Sequence, residues 1–411
     1  MGGMVANNSG GEKTLRYGKT VDYIEELEVV LSDGQAYSFG ELNEAGLGKK
    51  LRQQDFEGGI YRRMHELIIG NEALIEGARP KVSKNSSGYY LWEVWDRERG
   101  SFNLAKLICG SQGSLGIITR VKLRLIHPKP HSRMLVALLK DLSPLGELIP
   151  AVLRHKPESF ESYDDHTLKL ALRYLPELVG QMRGSFFGLL WDFLPELRLA
   201  LTAGYPKLVL MAEFTGESLH EVNEQARLAQ DDLAQRFPGL KSLVTHSRKE
   251  SGKYWIVRRE SFNLLRKHLR HKHTAPFIDD ICVRPETLTE FLPKLTELMS
   301  RYELIYTIAG HIGDGNFHII PLMDLSDPRQ RAIIPELERQ VYDLVFRYGG
   351  SMSGEHNDGL IRTPYLRQMF GAEVYKLFEE TKRIFDPEGI FNPGKKVGGS
   401  TKESMRHMIR D

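Results

Sequence analysis

The most informative stretch of the chain is Ala309-Gly310-His311-Ile312-Gly313-Asp314-Gly315-Asn316-Phe317-His318, a short polar loop between two apolar runs. Asp-Gly between apolar runs is a strong hairpin signal. A two-residue turn at Asp314 and Gly315 places His311 directly opposite His318. Opposed Cβ atoms lie about 4.5–5.5 Å apart, which suits two imidazoles binding one metal ion, and a longer loop gives the same result. The alternative is a pair of strand histidines that bond only to their neighbours.

A second polar stretch, Ser353-Gly354-Glu355-His356-Asn357-Asp358-Gly359, supplies a carboxylate and a further imidazole. His311, His318 and Glu355 form a three-ligand set with an open fourth position, the pattern of catalytic zinc. Because neighbouring side chains in an extended segment point to opposite sides, His356 is expected to face that open position. A surface loop with an ordinary Glu and His is the alternative. The two stretches together favour the metal site.

Length and charge narrow the class of protein. The chain of 411 residues exceeds the usual limit of one core, so two domains are expected. Its 56 Lys and Arg against 54 Asp and Glu give a net charge of +2, which does not favour a nucleic-acid partner. Cys109 and Cys282 lie in apolar surroundings, so a reducing, cytoplasmic location is predicted.

Membrane insertion is not indicated by the hydropathy pattern. The N-terminus lacks the basic and apolar regions of a signal peptide, and no run reaches the roughly 18 apolar residues of a membrane span. Residues 186–201 come nearest, interrupted by three charged side chains. A buried helix is the first interpretation of this stretch, and a peripheral membrane contact is the second.

Two glycine-rich stretches suggest close approach of backbone to a ligand. Residues 4–11 read as a loop of small residues. Residues 107–119 read as a strand, a glycine-rich loop and a second strand, whose N–H groups could reach an anionic or planar ligand. A tight connection between two strands explains the second stretch equally well.

Beyond the His127-Pro128-Lys129-Pro130 boundary, strands alternate with helices in an α+β layout. Residues 258–273 form a basic amphipathic helix whose polar side is either a solvated face or a site for an anionic substrate. Arg258 and Arg259 are the leading candidates for the second role, because Trp255 can anchor that end of the helix.

Five motifs in order, NNSGG with a following YG, GSQGSLGIIT, GHIGDGNFH, SGEHNDGL and DPEGIFNPGK, run from the first residues almost to the last. Together they resemble the FAD-linked oxidases of the vanillyl-alcohol oxidase/PCMH superfamily, in the branch of the D-lactate, D-2-hydroxyglutarate and glycolate dehydrogenases. The resemblance implies an α+β fold. Residues 1–127 would form the second half of a PCMH-type FAD-binding domain, 128–335 an α+β substrate (cap) domain with an antiparallel sheet and the metal-binding hairpin, and 336–411 a helical segment returning to the FAD domain.

The resemblance also implies roles for single residues. His311, His318 and Glu355 resemble ligands of a divalent metal, zinc or manganese, and His356 resembles the base. Asn316 matches a substrate-binding asparagine, and Arg258, with Arg259 as the alternative, matches the arginine that binds the substrate carboxylate. The residues that resemble FAD contacts are Asn7, Asn8, Ser9, Gly10, Gly11, Tyr17, Gly18, Gly110, Ser111, Gly113, Ser114, Gly116, Ile117, Ile118, Asn392 and Lys395.

The implied reaction is oxidation of a D-2-hydroxy acid, such as D-lactate, to the 2-oxo acid. The metal would lower the pKa of the substrate hydroxyl, His356 would take its proton, and the hydride would pass to flavin N5. Histidine suits the role of base because it titrates near neutral pH. An external electron acceptor would reoxidise the flavin, and no residue pattern specifies it.

Two departures from the family pattern bear on this hypothesis. The first flavin subdomain has no counterpart before Met1, so we expect FAD binding to need a partner polypeptide or an N-terminal half that supplies it. Near residues 277–280 no lysine matches the substrate lysine of the hydroxyglutarate branch, which favours a lactate-like acid. The alternatives are a non-catalytic remnant or subunit, and a flavin enzyme of the same fold with non-redox synthase chemistry.

Overall fold

The computed structural model describes residues 1–173, 206–268 and 273–408. Its strands in chain order are β1 Ile24–Val30, β2 Ala36–Leu42, β3 Trp95–Asp96, β4 Ser101–Asn103, β5 Ile117–Leu123, β6 His131–Leu139, β7 Ser159–Asp164, β8 Leu208–Gly216, β9 Lys241–Val244, β10 His273–Thr274, β11 Ile281–Cys282, β12 Ile305–His311 and β13 Asn316–Met323.

The helices follow in the same order. They are α1 Gly2–Asn7, α2 Thr14–Tyr17, α3 Glu44–Arg52, α4 Phe56–Gly70, α5 Glu72–Ala78, α6 Leu104–Ile108, α7 Leu145–Leu153, α8 Asp165–Arg173, α9 Leu219–Arg236, α10 Arg248–His268, α11 Leu288–Ser300, α12 Pro328–Arg347, α13 Gly359–Arg362, α14 Leu366–Phe370, α15 Ala372–Phe385 and α16 Thr401–Arg406. The predicted α+β class is confirmed by this mixture of helices and antiparallel strands.

The described chain divides into two compact units. The first unit comprises Met1–Gly11, Gly18–Ile126 and Ser351–Met408, and the second comprises Glu12–Tyr17 and His127–Gly350. The boundary predicted at residue 336 falls inside α12, and the chain re-enters the first unit at Ser351.

The first unit is built on an antiparallel sheet with the strand order β3-β4-β2-β1-β5. Helix α4 packs against it through Tyr61, whose ring centroid lies 6.0 Å from that of Phe39 on β2 and 6.2 Å from that of Phe102 on β4. Asp55 starts α4 by accepting a hydrogen bond from the Gly58 N–H at 2.8 Å. The final segment joins this core, since the ring of Phe385 at the end of α15 lies 6.4 Å from that of Phe39.

The second unit contains an antiparallel sheet in which the described strands run β10-β13-β12-β7-β8-β6-β9, with β11 also pairing β13. Helix α10 packs on one face through Tyr254 and Val257, against Met134, Val136 and other apolar side chains of β6, β7 and β8.

Two local predictions were wrong. Residues 4–7 are not a loop but the last turns of α1, which ends where Asn8 adopts the left-handed conformation at φ 50°. Leu107 and Ile108 belong to helix α6 rather than to a strand, because Asn103 caps this helix by accepting a hydrogen bond from the Ala105 N–H at 2.9 Å. Burial of apolar residues does not distinguish a short helix from a strand.

The nearest approach to a membrane span in the sequence, residues 186–201, lies outside the described residues. So do the side chains of residues 260–268 on α10 and the structure of 269–272. Among the helices that the structure describes, none combines the length and apolar character needed to cross a membrane.

Candidate functional site

The hairpin β12–β13 carries the two histidines in a register that differs from the prediction. His311 pairs with Asn316, and His318 pairs with Ala309, so the two histidines are diagonal rather than directly opposed. The two-residue turn was wrong because residues 312–314 form a 3-10 turn that Gly315 closes at φ 67°. A Cβ at Gly315 would lie 1.9 Å from the Val283 carbonyl oxygen, so this turn requires glycine.

The two imidazoles are nevertheless neighbours on one face of the sheet. Their ring centroids lie 5.2 Å apart with an interplanar angle of 89°. Diagonal partners on adjacent strands share a face and remain within reach of long or aromatic side chains. The structure therefore brings His311 and His318 together, with both side chains largely buried.

Each imidazole has a carboxylate behind it. His311 Nδ1 lies 2.6 Å from Glu161 Oε1, and His318 Nδ1 lies 3.1 Å from Asp279 Oδ1. An ionised carboxylate can only accept, so Nδ1–H donates in each pair and Nε2 is the ring atom suited to a metal. Metal-binding histidines are commonly oriented by carboxylates in this way.

Asn316 lies opposite His311 on the same face and is fully buried. Its side-chain amide donates to Asp280 Oδ1 at 3.0 Å and to the Ile281 carbonyl at 3.1 Å. Within the part of the chain that the structure describes, no group donates to Asn316 Oδ1. Asp280 is itself buried at φ 79°, a conformation that favours glycine and is found at functional sites. It offers a carboxylate oxygen within 4.8 Å of a His318 ring nitrogen.

The two candidate arginines have different partners. Arg258 forms an ion pair with Glu161, with Nη2 3.3 Å from Oε2, and its side chain is 13% exposed. Arg259 is half exposed, donates from Nε to Glu12 Oε1 at 2.7 Å, and stacks on Trp255 at 4.6 Å. The Glu12 carboxylate raises the pKa of Arg259. Only Arg258 is thus connected, through Glu161, to the histidine pair.

Glu355 and His356 lie in the first unit, on a loop held by buried lysines. Lys84, which is fully buried, has its ammonium 3.2 Å from Glu355 Oε2 and 3.2 Å from the Gly11 carbonyl. Lys19 donates to the Gly354 carbonyl at 2.8 Å. The His356 side chain is 43% exposed, and its Nε2 lies 3.8 Å from Glu355 Oε1. The loop therefore fixes the carboxylate and leaves the imidazole accessible.

The same loop is tied to two of the predicted flavin segments. The Asn7 amide donates to the Glu355 carbonyl at 2.8 Å, and the Asn357 amide donates to the carbonyls of Asn7 at 3.0 Å and Gly110 at 2.9 Å. Asn357 makes these bonds at φ 70°. Asn7, Gly110 and Glu355 are thus close together within the first unit.

The glycine-rich segment after α6 turns through backbone that favours glycine. Gly110 has φ 81°, and a Cβ there would lie 3.0 Å from Asn8 Cβ. The Ser111 hydroxyl is buried with no hydrogen-bond partner among the described residues. Ser114 is bonded instead to Tyr89 and to the Ser111 carbonyl, each at 2.6 Å.

Other predicted flavin residues have diverse surroundings. Ile117 is 57% exposed at the start of β5, and the Asn392 amide donates to the Gln112 carbonyl at 2.5 Å. Lys395 is half-buried, whereas its neighbour Lys396 is fully buried against Asp358. Tyr17 belongs to the second unit and donates to Glu158 Oε2 at 2.9 Å. The remaining positions are Ser9, Gly10, Gly11, Gly18, Gly113, Gly116 and Ile118, all in the first unit.

Four residues that contact or approach predicted site residues within their own unit were missed by sequence reasoning. Glu161, Asp279, Asp280 and Lys84 are all buried, and each contacts a predicted site residue or lies within a metal ligand's reach of one. A signal was present, since Asp279-Asp280 interrupts an apolar run and charged residues are seldom buried without a partner. The partners themselves are distant in sequence and could not be paired without the fold.

Comparison with known proteins identifies the family of this chain. Residues 128–396 match the family model "FAD linked oxidases, C-terminal domain", and residues 1–40 match "FAD binding domain". Because the first match covers more than half of the chain, the chain belongs to the FAD linked oxidases. The predicted family is thereby confirmed.

Individual relatives agree with this assignment. The chain is 30% identical to a D-2-hydroxyglutarate dehydrogenase of Pseudomonas putida over 96% of its own length and 38% of the relative's. It is 25% identical to a D-lactate dehydrogenase of Archaeoglobus fulgidus over 97% of its length and 69% of that protein's. A 4-ethylphenol oxidase from Gulosibacter chungangensis shares the fold, with a TM-score of 0.59, 14% identity and coverage of 94% of this chain and 68% of that one.

Proposed function

We propose that this chain carries the substrate- and metal-binding part of a flavin-dependent enzyme that oxidises a D-2-hydroxy acid to the 2-oxo acid. The observation that carries the proposal is the pair of buried imidazoles, His311 and His318, each with a carboxylate at Nδ1. This arrangement lies beside Asn316, whose buried Oδ1 lacks a donor among the described residues. A polar ligand with a hydroxyl group would satisfy that oxygen.

The donor set fits a divalent metal. Two neutral imidazoles presenting Nε2 and one carboxylate suit zinc or manganese. His311 and His318 would supply the nitrogens, and Glu355 is proposed as the third ligand from its place in the sequence motif. The ammonium of Lys84 lies 3.2 Å from Glu355 Oε2 and holds this carboxylate in place.

One observation supports a flavin site in the first unit. The Ser111 hydroxyl is buried without a partner among the described residues. Asn7, Asn8 and the segment from Gly110 to Ile118 would hold the cofactor. When bound, the flavin supplies the electron acceptor for the oxidation and the metal a Lewis acid.

The chain's own residues would bind the acid and move one proton. Arg258, which keeps further N–H donors beside its ion pair with Glu161, would bind the substrate carboxylate. Asn316 would orient the substrate through its Oδ1. His356, accessible on its loop, would take the hydroxyl proton as general base. The two electrons leave with the hydrogen on the same carbon, which yields the 2-oxo acid.

The two candidate substrates are D-lactate and D-2-hydroxyglutarate. The sequence favours a short acid such as D-lactate, because no lysine near residues 277–280 is available for a second carboxylate. The relative with 30% identity is named for D-2-hydroxyglutarate, which favours the longer acid. Reduction of a dye acceptor by the FAD-supplied protein, with D-lactate, L-lactate and D-2-hydroxyglutarate in parallel, distinguishes them. No activity with either D-acid would contradict the proposal.

Metal analysis tests the site independently of turnover. We expect about one zinc or manganese ion per chain in the wild type and a marked loss in His318→Ala. The matched control is His220→Ala, because His220 is a largely exposed histidine on α9. Equal metal content in the wild type and His318→Ala would remove His318 from the ligand set.

A further inference from the structure

Glu161 is a fully buried carboxylate that touches two residues of the proposed site. One oxygen, Oε1, lies 2.6 Å from His311 Nδ1, and the other, Oε2, lies 3.3 Å from Arg258 Nη2. A single side chain thus connects a proposed metal ligand with the proposed carboxylate-binding arginine.

The sheet register explains the contact with His311. Strands β7 and β12 pair antiparallel with Ser162 opposite Gly310, so the next residues along, Glu161 and His311, face each other. On the far side of β12, Asn316 pairs with His311. The three side chains form one row across the sheet. Directly opposed side chains on one face are the closest pairs that a sheet offers.

The packing of α10 explains the contact with Arg258. Tyr254 and Val257 are buried against the apolar part of the same sheet face. Arg258 follows Val257 on the helix, and its largely buried guanidinium extends to Glu161. The position of the arginine is therefore set by an apolar contact on one side and by a carboxylate on the other.

The charge of Glu161 explains why its loss should affect both His311 and Arg258. Burying a carboxylate is costly unless it is paired and hydrogen-bonded, and Glu161 meets both conditions through His311 and Arg258. Since a carboxylate accepts only, it holds His311 in the tautomer that has its proton on Nδ1. Loss of the carboxylate would remove the acceptor that selects this tautomer and would leave the guanidinium less constrained.

We infer that Glu161 is a positioning residue that couples the metal ligand His311 to the carboxylate-binding Arg258. The inference rests on the proposed function, because it takes the metal role of His311 as given. Glu161 contacts neither substrate nor metal in this role. It orients His311 for the metal and Arg258 for the substrate, so metal affinity depends on the state of Arg258.

The experiment measures Zn²⁺ affinity by competition with a chromophoric chelator, using the full chain without added substrate. Glu161→Gln should bind Zn²⁺ about 10–100-fold more weakly, the usual effect of removing the partner of a ligating histidine. Glu213→Gln is the matched control, since Glu213 is another glutamate of the same sheet, on β8, and its side chain is hydrogen-bonded to Ser132. It should bind Zn²⁺ as the wild type does.

A double-mutant cycle separates coupling from a structural effect. Arg258→Met should change Zn²⁺ affinity in the wild-type background by at least about twofold, and should have no effect in the Glu161→Gln background. A purely structural role for Glu161 would lower the thermal stability of the metal-free protein. The two substitutions would then change the free energy of Zn²⁺ binding additively. If Glu161→Gln does not fold, Arg258→Met alone decides, because unchanged Zn²⁺ affinity there overturns the inference.

The outcomes distinguish the two proposals. Zinc binding by the wild type that is lost in His318→Ala, together with unchanged affinity in Glu161→Gln, would overturn the inference and leave the metal site intact. Equal binding by the wild type and His318→Ala would overturn the metal site itself, and the inference with it.

Discussion

The hairpin of the second unit and the Glu355–His356 loop of the first unit position polar side chains in different ways. On the hairpin, His311, Asn316 and His318 take their places from a regular antiparallel ladder. On the loop, Glu355 is held by the buried ammonium of Lys84, and no ladder is involved.

The two regions also differ in what lies behind each functional group. The histidines have buried carboxylates, Glu161 and Asp279, as acceptors for Nδ1. The loop is surrounded by buried lysines, and Asn357 follows His356 at φ 70°. An ionised carboxylate accepts the Nδ1 proton of an imidazole and orients the ring, whereas a cationic partner keeps a carboxylate ionised. The hairpin thus gives its imidazoles anionic partners, and the loop gives its carboxylate a cationic one.

The largest expected effect tests the role of base assigned to the loop. His356→Ala should lower kcat by about 10²–10⁴-fold, because a general base is lost, and leave metal content unchanged, because the ligands remain. Steady-state assays and metal analysis of the same preparation check both statements. His407→Ala removes an exposed histidine of the first unit and should match the wild type. Near-normal turnover in His356→Ala would assign the proton to another group.

The second prediction concerns the buried ion pair behind the loop. Lys396 and Asp358 are both fully buried with 2.9 Å between Nζ and Oδ2, and burial lowers the pKa of Lys396 while Asp358 opposes that shift. Lys396→Met should lower the free energy of unfolding by about 3–5 kcal/mol, since the carboxylate stays buried without its partner. Chemical denaturation measures the loss.

Lys395→Met provides the control for this pair. Lys395 is the half-buried neighbour, and its replacement should change stability by about 0.5 kcal/mol or less. Equal losses in the two variants would mean that the buried pair contributes nothing specific.

A third prediction concerns the carboxylate behind the second histidine. Asp279→Asn should weaken Zn²⁺ binding by about 10–100-fold, because the acceptor for His318 Nδ1 loses its charge. Asp343→Asn, on the exposed face of α12, serves as the control. Chelator competition measures both variants, and equal affinities would show that the carboxylate is dispensable for metal binding.

The smallest effect is a pH dependence of stability in the first unit. Burial raises the pKa of Asp386, but hydrogen bonds from Lys382 and from the N–H groups of Phe391 and Ile390 outweigh it and hold the pKa below its usual value. The stabilisation is therefore present above the unfolded pKa of about 3.9 and is lost as the pH falls through the folded pKa. Asp386→Asn should cost about 1.5 kcal/mol at pH 7.

Denaturation of the wild type and Asp386→Asn at several pH values checks the sign. The difference between the two proteins should shrink as the pH is lowered below about 4, where the wild-type carboxylate also becomes protonated. A difference that stays constant down to the acid limit would mean that the charge of Asp386 does not contribute.

Residue patterns were sufficient to predict the family, the α+β class and the candidate residues on both polar stretches. Local signals were sufficient for this, because glycine turns, histidine spacing and the order of five motifs are properties of contiguous residues. The same local signals failed for α1, α6 and the hairpin turn. There, helix caps at Asn8 and Asn103 and the close approach of Gly315 to Val283 decided the conformation.

The partners of the candidate residues could be identified only from the three-dimensional fold. Glu161 contacts His311 although the two are 150 residues apart in sequence, and Lys84 contacts Glu355 at a separation of 271 residues. No periodicity records such pairs, because they arise from strand order and from loops brought together by packing. The fold also distinguishes two arginines that are adjacent in sequence. Arg258 forms an ion pair with Glu161, whereas Arg259 pairs with Glu12. Neighbours on a helix point in different directions, and the fold determines what each one meets.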